Sequence, residues 1–508
     1  MLAIFDQDDP PACPAPFNLA AHVLAHAAGA PDRVALCVIS DGGVETWSYG
    51  QLEAAVRGTG AGLLAAGLVP GDIVLMRLGN TVDFPLAYLG AIAVGLVPVP
   101  TSSQLTAPEV AKMVAQLSPR AILRDPSVAC PEDTGLPVID TTALRAMRAL
   151  PPADYAMGDP DRLAYIIYTS GTSGIPRAVM HAHRAIWARR MMHQGWYGLT
   201  GEDRLLHAGA FNWTYTLGTG LMDPWSVGAA ALIPAEGVAP EALPALLKQH
   251  QATIFAAAPG VYRKILDHHT KMDLPQLRHG LAAGEKLSER LRHRWHEASG
   301  TAIFEAYGMS ECSTFISGSP AHPATEGRLG RPQTGRRVAI LGPEGPVGIG
   351  EEGTIAVSNR DPGLMLGYFG AEDETAARMR GEWFLTGDQG VMAADGQIAY
   401  LGRADDMMNA GGYRVSPLEV EAALLAHPAI REVGVTEVEV KDDTRIIAAF
   451  YCGAPINEAD LKAFAADRLA RYKQPRAYVH VEALPSGANG KILRRALKPL
   501  YEARYGKA

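Results

Sequence analysis

The feature that most constrains the fold is an apolar strand–helix–strand pattern near the N-terminal end of the chain. Residues 73–76 form a short apolar run, residues 84–94 form a stretch long enough for a helix, and residues 96–99 form a second short run. Two strands joined through a helix lie parallel in one sheet, so this order predicts an α/β fold with crossover connections. The apolar run over 84–99 is shorter than the ~20 residues of a membrane span, so we expect a buried helix.

The rest of the first four hundred or so residues continues the strand and helix alternation, and the chain of 508 residues is long enough for several domains. Residues 164–168 predict another strand, followed by a Gly/Ser/Thr loop and a helix that begins near His183. Residues 342–353 are rich in Gly, Pro and Glu, which is typical of turns within a β-rich region.

The character of the chain changes after Arg403. Residues 416–419 read Ser-Pro-Leu-Glu, which predicts a capping box with proline at the first helical position. Residues 432–440 and 445–451 then alternate as strands do. We therefore expect a small α+β C-terminal domain that begins near residues 402–406.

Bulk composition excludes several classes of protein. The net charge of −8 argues against a general binder of nucleic acid or anionic membranes. Five cysteines are scattered without paired spacing, which suits a reducing compartment, and the N-terminus is acidic and proline-rich, unlike a secretion signal. We expect a cytoplasmic protein without a membrane span and without nucleic acid as a partner.

The sharpest local signal is the loop at 168–177, Tyr-Thr-Ser-Gly-Thr-Ser-Gly-Ile-Pro-Arg. Glycines let backbone N–H groups approach an anion, hydroxyls add donors, and arginine supplies a charge with two-pronged geometry. The Walker A spacing is absent. A surface loop and a phosphate site are both compatible with this composition. The candidate ligands are Thr169, Ser170, Gly171, Thr172, Ser173, Gly174 and Arg177.

This loop closely resembles the signature of the adenylate-forming superfamily, which includes acyl-CoA synthetases, aryl-CoA ligases, adenylation domains of peptide synthetases and luciferases. Arg177 stands where lysine is most frequent, and Ala178 stands where glycine is most frequent. Arginine keeps the positive charge, so we expect function to be retained. Ala178 narrows the freedom of the backbone.

Further motifs follow in the family's order over nearly the whole chain. Residues 305–311, Glu-Ala-Tyr-Gly-Met-Ser-Glu, match the superfamily's YGxTE element with serine for threonine. The resemblance implies that Tyr307 lies along the adenine, that Ser310 contacts the α-phosphate and that Glu311 holds Mg²⁺. It assigns two neighbours to the nucleotide site as well, Glu305 and Ala306.

Two shorter elements complete the implied nucleotide site. Residues 386–388, Thr-Gly-Asp, match the element whose aspartate accepts hydrogen bonds from the ribose hydroxyls, here Asp388. Gly284 and Glu285 belong to an Ala-Gly-Glu segment that borders the nucleotide and the acyl pocket. This form is similar to benzoate-type and short-chain acyl-CoA ligases.

The resemblance also implies a mobile C-terminal domain. Residues 403–406 match the interdomain hinge, with Asp405 as the pivot and Arg403 near the ribose and phosphate, which divides the chain into 1–402 and 407–508. The implied CoA tunnel is formed by Gly411, Gly412 and Tyr413. Lys491 matches the adenylation lysine and joins Glu311 and Arg403 as the implied catalytic residues.

Residues 210–218 resemble the segment that enters the acyl site. Asn212 stands where amino-acid-activating members carry aspartate, so an α-amino acid substrate is disfavoured. Trp213 and Tyr215 wall a pocket or are core aromatics, and Ala258 and Gly260 resemble another wall. The two histidines of His181-Ala-His183 lack a nearby third ligand, which favours packing or helix capping over a metal site.

The resemblance implies a large N-terminal domain of α/β subdomains with a β-rich subdomain, and an AMP-forming carboxylic acid:CoA ligase. ATP, Mg²⁺ and CoA are the implied cofactors, and the acid is aromatic or of short or medium chain length. One alternative is a stand-alone adenylation enzyme that loads a carrier protein, and another is a nucleotide-binding regulator that has lost catalysis. A monomer or a homodimer is expected.

Overall fold

The structure is a computed structural model. It describes residues 1–7, 9–10, 12–40, 42–169, 177–404, 406–410, 413–441, 444–487 and 492–506. Among the described residues, no helix combines the length and the hydropathy that crossing a membrane would require.

The predicted strand–helix–strand unit is confirmed at the N-terminal end. Strands Ile73–Arg77 and Val97–Pro100 pair in parallel, and the buried helix Asp83–Ala93 connects them. Strands Ala121–Arg124 and Val138–Asp140 extend the sheet, again in parallel. Val97–Pro100 carries two prolines, and it lies at the edge of this sheet, where a missing N–H donor costs no ladder hydrogen bond.

A second, nine-stranded sheet forms the centre of the large domain. Its inner strands are parallel and its edge strands are antiparallel. The carboxyl ends of the parallel strands therefore meet at one edge, which is where ligands bind in open α/β sheets. The strands, in spatial order, are Arg331–Pro332, Ser313–Ser317, Ala302–Met309, His279–Ala283, Ile254–Ala257, Arg204–His207, Ala230–Pro234, Val34–Ser40 and Gly43–Ser48.

The β-rich region predicted around residues 342–353 is a seven-stranded antiparallel sheet. It joins the N-terminal strand to strands from the second half of the large domain. Its members are Ile4–Asp6, Arg337–Gly342, Gly345–Pro346, Glu352–Ser358, Met379–Arg380, Trp383–Met392 and Ile398–Arg403.

The surroundings of the Gly/Ser/Thr loop differ from the prediction. A strand, Arg177–Ala182, follows the loop and pairs antiparallel with Leu163–Thr169, while Gly367–Tyr368 pairs on its other side. The first helix starts only at Ala185. A short apolar run such as 177–182 does not reveal its period, so the sequence alone could not separate strand from helix here.

The C-terminal region is the predicted α+β unit. Strands Ile430–Lys441, Thr444–Gly453 and Ala477–His480 form its main sheet, and Met408–Ala410 pairs with Tyr413–Val415. Its helices are Pro417–Leu425, Glu458–Ala466 and Leu497–Tyr505.

The N-terminus of the first of these helices differs in part from the predicted capping box. Ser416 caps the helix by accepting a hydrogen bond from the Glu419 N–H, as predicted. The Glu419 carboxylate, however, binds Lys473 at 2.6 Å instead of turning back to the cap. An ion pair is available to this glutamate, so only half of the capping box forms.

The remaining helices cover the sheets of the large domain. The α-helices are Leu19–Val23, Tyr49–Ala65, Ala107–Leu117, Thr141–Met147, Ala185–Ala188, Arg190–Met192, Asp223–Ser226, Leu243–Gln249, Pro259–His268, Glu289–Ser299 and Glu372–Ala377. Short 3₁₀ helices occur at Ala25–Ala27, Pro240–Ala242, Arg471–Lys473 and Arg494–Ala496. Two π-helices occur, His193–Tyr197 and Thr216–Met222.

The apolar cores divide between the two parts of the chain. In the part of the chain that the structure describes, each cluster of buried apolar side chains lies wholly on one side of residues 401–407. Each part thus buries its own apolar surface.

Candidate active site

Tyr307, Asp388 and Arg403 meet at the end of the central sheet. Tyr307 lies near the end of strand Ala302–Met309, and its hydroxyl donates to Asp388 Oδ2 at 2.5 Å. Asp388 and Arg403 face each other on paired strands, with Arg403 Nε 3.6 Å from Asp388 Oδ1. Burial, together with the Asp388 charge, raises the pKa of Tyr307 well above its usual value, so the phenol stays protonated and donates. The structure thus brings three predicted nucleotide ligands together.

Glu311 is oriented by a residue that the sequence did not single out. The Tyr368 hydroxyl donates to Glu311 Oε1 at 2.7 Å, and the backbone N–H of Met365 donates to the Glu311 carbonyl at 2.7 Å. The Glu311 side chain is only 9% exposed. A buried carboxylate held in this way presents oxygen ligands of the kind that Mg²⁺ prefers.

Arg177 lies beside this pair. Its Nε is 2.6 Å from Glu374 Oε2, and its guanidinium carbon is 5.3 Å from the centroid of the Tyr368 ring. Ala178 is buried in the strand that follows the loop. The charge retained by the arginine thus lies next to Tyr368, the residue that binds Glu311, although a carboxylate neutralises this charge here.

The two histidines of the His-Ala-His segment have structural hydrogen bonds. His181 Nε2 donates to the Ser310 carbonyl at 2.8 Å, and His183 Nδ1 accepts from the Leu19 N–H at 3.0 Å, at the start of a helix. Burial lowers the pKa of His181 to about 4 and that of His183 to about 3. Across the described residues, no three metal-ligating side chains gather into a cluster. Packing and capping, as expected, account for this motif.

Gly284 and its neighbours border the same edge of the sheet. Gly284 follows strand His279–Ala283 with φ of +91°, and Glu285 comes next. Ala306 is buried beside Tyr307, whereas the Glu305 carboxylate accepts from the Leu287 N–H at 2.8 Å and from Arg292 at 3.2 Å. The Glu305 side chain therefore anchors the segment that leads into helix Glu289–Ser299.

Aromatic rings fill the neighbouring end of strand Arg204–His207. The Tyr215 ring lies 4.5 Å from the His207 ring and 5.1 Å from the Trp213 ring, both edge-on, and it stacks on Trp196 at 6.2 Å. Two polar atoms of this group, His207 Nε2 and the Tyr215 hydroxyl oxygen, are buried and have no hydrogen-bond partner among the described residues. Burial lowers the pKa of His207 to about 3, so its ring is neutral. We call these four residues the aromatic group.

Glycines in the adjoining π-helix allow the close packing of this group. A Cβ at Gly220 would lie 2.8 Å from His207 Cβ, and a Cβ at Gly218 would lie 2.5 Å from Arg189 Nη2. Arg189 is in turn paired with the buried Asp223 at 2.5 Å. A side chain at Gly220 would collide with strand Arg204–His207, and one at Gly218 would collide with the Arg189 guanidinium.

The other predicted wall residues lie around this group. The Asn212 amide donates to Ser103 Oγ at 3.2 Å, which directs it toward the N-terminal parallel sheet. Ala258 precedes helix Pro259–His268 and Gly260 lies in its first turn. A Cβ at Gly260 would meet no atom within 4 Å, so there is open space beside it.

Several predicted site residues lie outside the described residues: Ser170, Gly171, Thr172, Ser173, Gly174, Asp405, Gly411, Gly412 and Lys491. For Thr169 and Tyr413 the structure gives the backbone, as a strand end and a strand start, and their side chains are also outside the description.

The large and small parts touch through two helices of the large part, Pro259–His268 and Glu289–Ser299. Arg263 Nη1, on helix Pro259–His268, lies 2.9 Å from Glu432 Oε1, on the first strand of the small sheet. Arg290 Nη2 donates to the Ile430 carbonyl at 3.0 Å. Both contacts are made by arginines of the large part with the same strand of the small part.

Comparison with known proteins agrees with this geometry. A family model described as AMP-binding enzyme matches residues 23–369, which is more than half of the chain, and a model described as AMP-binding enzyme C-terminal domain matches residues 419–491.

The chain belongs to the family of AMP-binding enzymes.

Relatives of this AMP-binding enzyme are similar over most of their length. Benzoate–CoA ligase of Thauera aromatica is 30% identical over 489 residues, which cover 91% of this chain and 92% of that one. The anthranilate CoA ligase AuaEII in complex with anthranoyl-AMP superposes with a TM-score of 0.86 at 25% identity, covering 96% and 98% of the two chains. ATP-bound MatB from Rhodopseudomonas palustris superposes with a TM-score of 0.88 at 25% identity, covering 96% and 99%.

These similarities confirm the predicted adenylate-forming superfamily and its fold, a large N-terminal α/β domain with a smaller C-terminal domain. By class, this AMP-binding enzyme is an AMP-forming acid–thiol ligase of an ATP-using family.

Sequence reasoning did not find Tyr368, which orients the site from 57 positions away in a two-residue strand and belongs to none of the motifs above. It named His181 in the His-Ala-His segment but did not predict its bond to the backbone of Ser310. Both residues reach the site through strand Arg177–Ala182, which carries His181 and pairs antiparallel with Gly367–Tyr368, and which the sequence did not predict.

Proposed function

We propose that this AMP-binding enzyme is a carboxylic acid:CoA ligase that activates an aromatic or short- to medium-chain acid with ATP and transfers the acyl group to CoA. The observation that carries the proposal is the adjacency of two unlike groups at one sheet edge. Tyr307, Glu311 and Asp388 bring hydroxyl and charged side chains to one side of the site, and the aromatic group lies at the end of strand Arg204–His207.

The proposed first step is attack of a substrate carboxylate oxygen on the α-phosphorus of ATP. The new bond joins that oxygen to phosphorus, the bond from phosphorus to the bridging β-oxygen breaks, and pyrophosphate leaves with the electron pair. No proton is transferred in this step. Negative charge builds on the phosphoryl oxygens, so fixed cations nearby lower the barrier.

The proposed nucleotide ligands have separate roles in this step. Asp388 accepts hydrogen bonds from the ribose hydroxyls, and Arg403, 3.6 Å from it, adds a positive charge on the phosphate side. Glu311 is the residue that would hold Mg²⁺, because its carboxylate is buried and fixed by Tyr368. When bound, the ion supplies charge neutralisation to the triphosphate.

The chemistry of the aromatic group supports the choice of acid. Trp196, Trp213 and Tyr215 offer apolar ring faces, and the nearby Arg189 is neutralised by Asp223. The ring of His207 is neutral. Such surroundings favour an uncharged acyl group over a second carboxylate or an ammonium. Benzoate and anthranilate, which appear in the names of two relatives, are acids of this kind.

The second step requires a change of domain orientation about the proposed hinge at 403–406, between domains 1–402 and 407–508. Lys491 would assist adenylation from the small domain, which must then turn so that Gly411, Gly412 and Tyr413 line the route of the thiol. We expect Lys491→Ala to abolish adenylate formation and to spare thioester formation from a supplied acyl-adenylate. Lys498→Ala is the control, because Lys498 is an exposed lysine in the last helix. Equal loss of both half-reactions would contradict the assignment.

The contact between Arg263 and Glu432 allows a second test of domain rotation. Arg263→Glu and Glu432→Arg should each change the rates of the two half-reactions unequally. The ion pair forms in this domain orientation, so breaking it destabilises this orientation and not the rotated one. The double variant restores the pair with its charges exchanged and should recover the wild-type ratio of the two rates. A ratio that none of the three variants changes would show that this orientation has no kinetic role.

Pyrophosphate exchange tests the overall proposal. Purified protein is given ATP, Mg²⁺ and a panel of aromatic, short-chain and medium-chain acids, and then CoA or a phosphopantetheinylated carrier protein. The proposal expects acid-dependent exchange, AMP release and a thioester of CoA. Transfer to the carrier protein alone would favour the loading enzyme, and absence of exchange with every acid would favour a regulator. Release of ADP and orthophosphate would overturn the adenylation chemistry.

A further inference from the structure

Three arginines lie on the nucleotide side of the site, and they differ in what they bind. Arg177 is paired with Glu374 at 2.6 Å, and Arg403 lies 3.6 Å from Asp388. Arg378 bonds only backbone carbonyl oxygens, those of Thr386 at 3.3 Å and Leu385 at 3.5 Å. Within the described residues, no carboxylate lies within ion-pairing distance of Arg378, so the protein leaves its charge uncompensated there.

The guanidinium of Arg378 converges with that of Arg403 on Gly387, the residue before Asp388. Gly387 has φ of +81°, and a Cβ there would lie 2.8 Å from Arg378 Nη1 and 3.3 Å from Arg403 Nη2. Only glycine combines this backbone conformation with such a close approach. The absence of a side chain at this position therefore brings two cations beside the proposed ribose ligand.

Arg378 is also linked to the segment that carries the partner of the proposed metal ligand. Its backbone N–H donates to the Thr375 carbonyl at 3.1 Å, and the Thr375 hydroxyl oxygen accepts from the N–H of Tyr368, whose own hydroxyl donates to Glu311. Hydrogen bonds thus connect Arg378 to the strand of Asp388 on one side and to Tyr368, beside Glu311, on the other. In a bound nucleotide, the group that joins the ribose to the metal-bound phosphates is the α-phosphate.

We infer that Arg378 is a further catalytic residue, which binds the α-phosphate of ATP and of the acyl-adenylate. The inference rests on the proposed function. An unpaired guanidinium gains most from an anion, because no protein carboxylate must be displaced from it. During attack by the substrate carboxylate, Arg378 would stabilise the negative charge that develops on the α-phosphoryl oxygens.

The experiment compares the binding of adenosine with that of AMP by calorimetry, since these ligands differ only in the α-phosphate. The variants are Arg378→Ala, Arg378→Gln and Arg378→Lys. Arg380→Ala is the matched control, because Arg380 lies two residues away, is exposed, and bonds the Gly342 carbonyl at 2.6 Å.

In Arg378→Ala and Arg378→Gln we expect AMP affinity to fall about 10- to 100-fold, the loss of a charged hydrogen-bond donor, with adenosine affinity unchanged. Arg378→Lys should restore part of the affinity for AMP. The rate of acid-dependent pyrophosphate exchange should fall in the same order, and Arg380→Ala should match the wild type in every measurement.

Two outcomes would overturn the inference. One is unchanged AMP affinity in a folded Arg378→Gln protein. The other is an equal loss of adenosine and AMP affinity, which would mean that Arg378 merely supports the chain at Thr386. If the wild type bound AMP no better than adenosine and exchanged no pyrophosphate, the proposed function itself would fail, and the two failures are thereby distinguished.

Discussion

The proposed nucleotide side and the proposed acyl side of this site differ in how their buried polar atoms are paired. On the nucleotide side, the hydroxyls of Tyr307 and Tyr368 each donate to a carboxylate, at 2.5 and 2.7 Å. On the acyl side, the Tyr215 hydroxyl and His207 Nε2 are buried, and neither has a hydrogen-bond partner among the residues that the structure describes. The first region is fixed by charged hydrogen bonds before any ligand arrives. The second is held by ring packing and leaves polar atoms that only a ligand or a rearrangement would satisfy.

The largest effect should come from removing charge on the nucleotide side. Glu311→Gln keeps the shape of the side chain and its bond with Tyr368 but loses the negative charge that would hold Mg²⁺. We expect adenylation to slow by about 100-fold or more, with an increased requirement for Mg²⁺. Pyrophosphate exchange over a range of Mg²⁺ concentrations measures this.

Glu372→Gln serves as the control for this substitution, because Glu372 is an exposed glutamate in the first turn of a helix. If Glu311→Gln behaved like that control, the nucleotide side would not depend on the charge of its buried carboxylate.

The same substitution should have opposite effects on the two sides. Tyr307→Phe removes the donor to the buried Asp388 carboxylate, so we expect the free energy of unfolding to fall by about 1–3 kcal/mol. Tyr215→Phe removes a buried hydroxyl that has no partner, so stability should stay equal or rise by up to about 1 kcal/mol. Urea unfolding of the two variants beside the wild type decides this. A loss of similar size in both would erase the contrast between the regions.

The smallest effect concerns the pH dependence of folding stability, to which a buried histidine on each side should contribute with the same sign. Burial lowers the pKa of His181 to about 4 and that of His207 to about 3, from an ordinary value of 6.5. Below pH 6.5 the unfolded chain binds protons that these folded histidines do not. Their contribution to stability is therefore complete above about pH 6.5 and is lost as the pH falls toward 4.

His207→Phe, which keeps an aromatic ring in place, should reduce the slope of unfolding free energy against pH by at most ~1.4 kcal/mol per pH unit, the value for one proton. Measurements at pH 7, 6 and 5 in urea provide the test. An unchanged slope would mean that the His207 ring takes up its proton in the folded state as well.

The proposed nucleotide ligands were easier to predict from the sequence than the acyl side, because Tyr307, Glu311 and Asp388 belong to short motifs that resemble those of a known family. How they meet is not visible in the motifs, since Tyr307 lies near the end of one strand and Asp388 lies inside another, Trp383–Met392. Tyr368 joins them only through the antiparallel strand Arg177–Ala182, whose short apolar run has no readable period. On the acyl side, Asn212 stays a predicted wall residue, and its amide donates to Ser103 Oγ, a contact that no motif in the sequence indicates.

The division of the apolar cores at residues 401–407 has a consequence for inheritance. A crossover between related genes at this point would sever no buried cluster of side chains. The aromatic group stays entirely with the upstream segment, while the strand that carries Glu432 travels with the downstream one. A descendant of such an exchange would keep the aromatic group that we propose binds the acid, and it would place another residue opposite Arg263. The contact between the two parts, rather than either interior, is therefore where a chimera would need compensating substitutions.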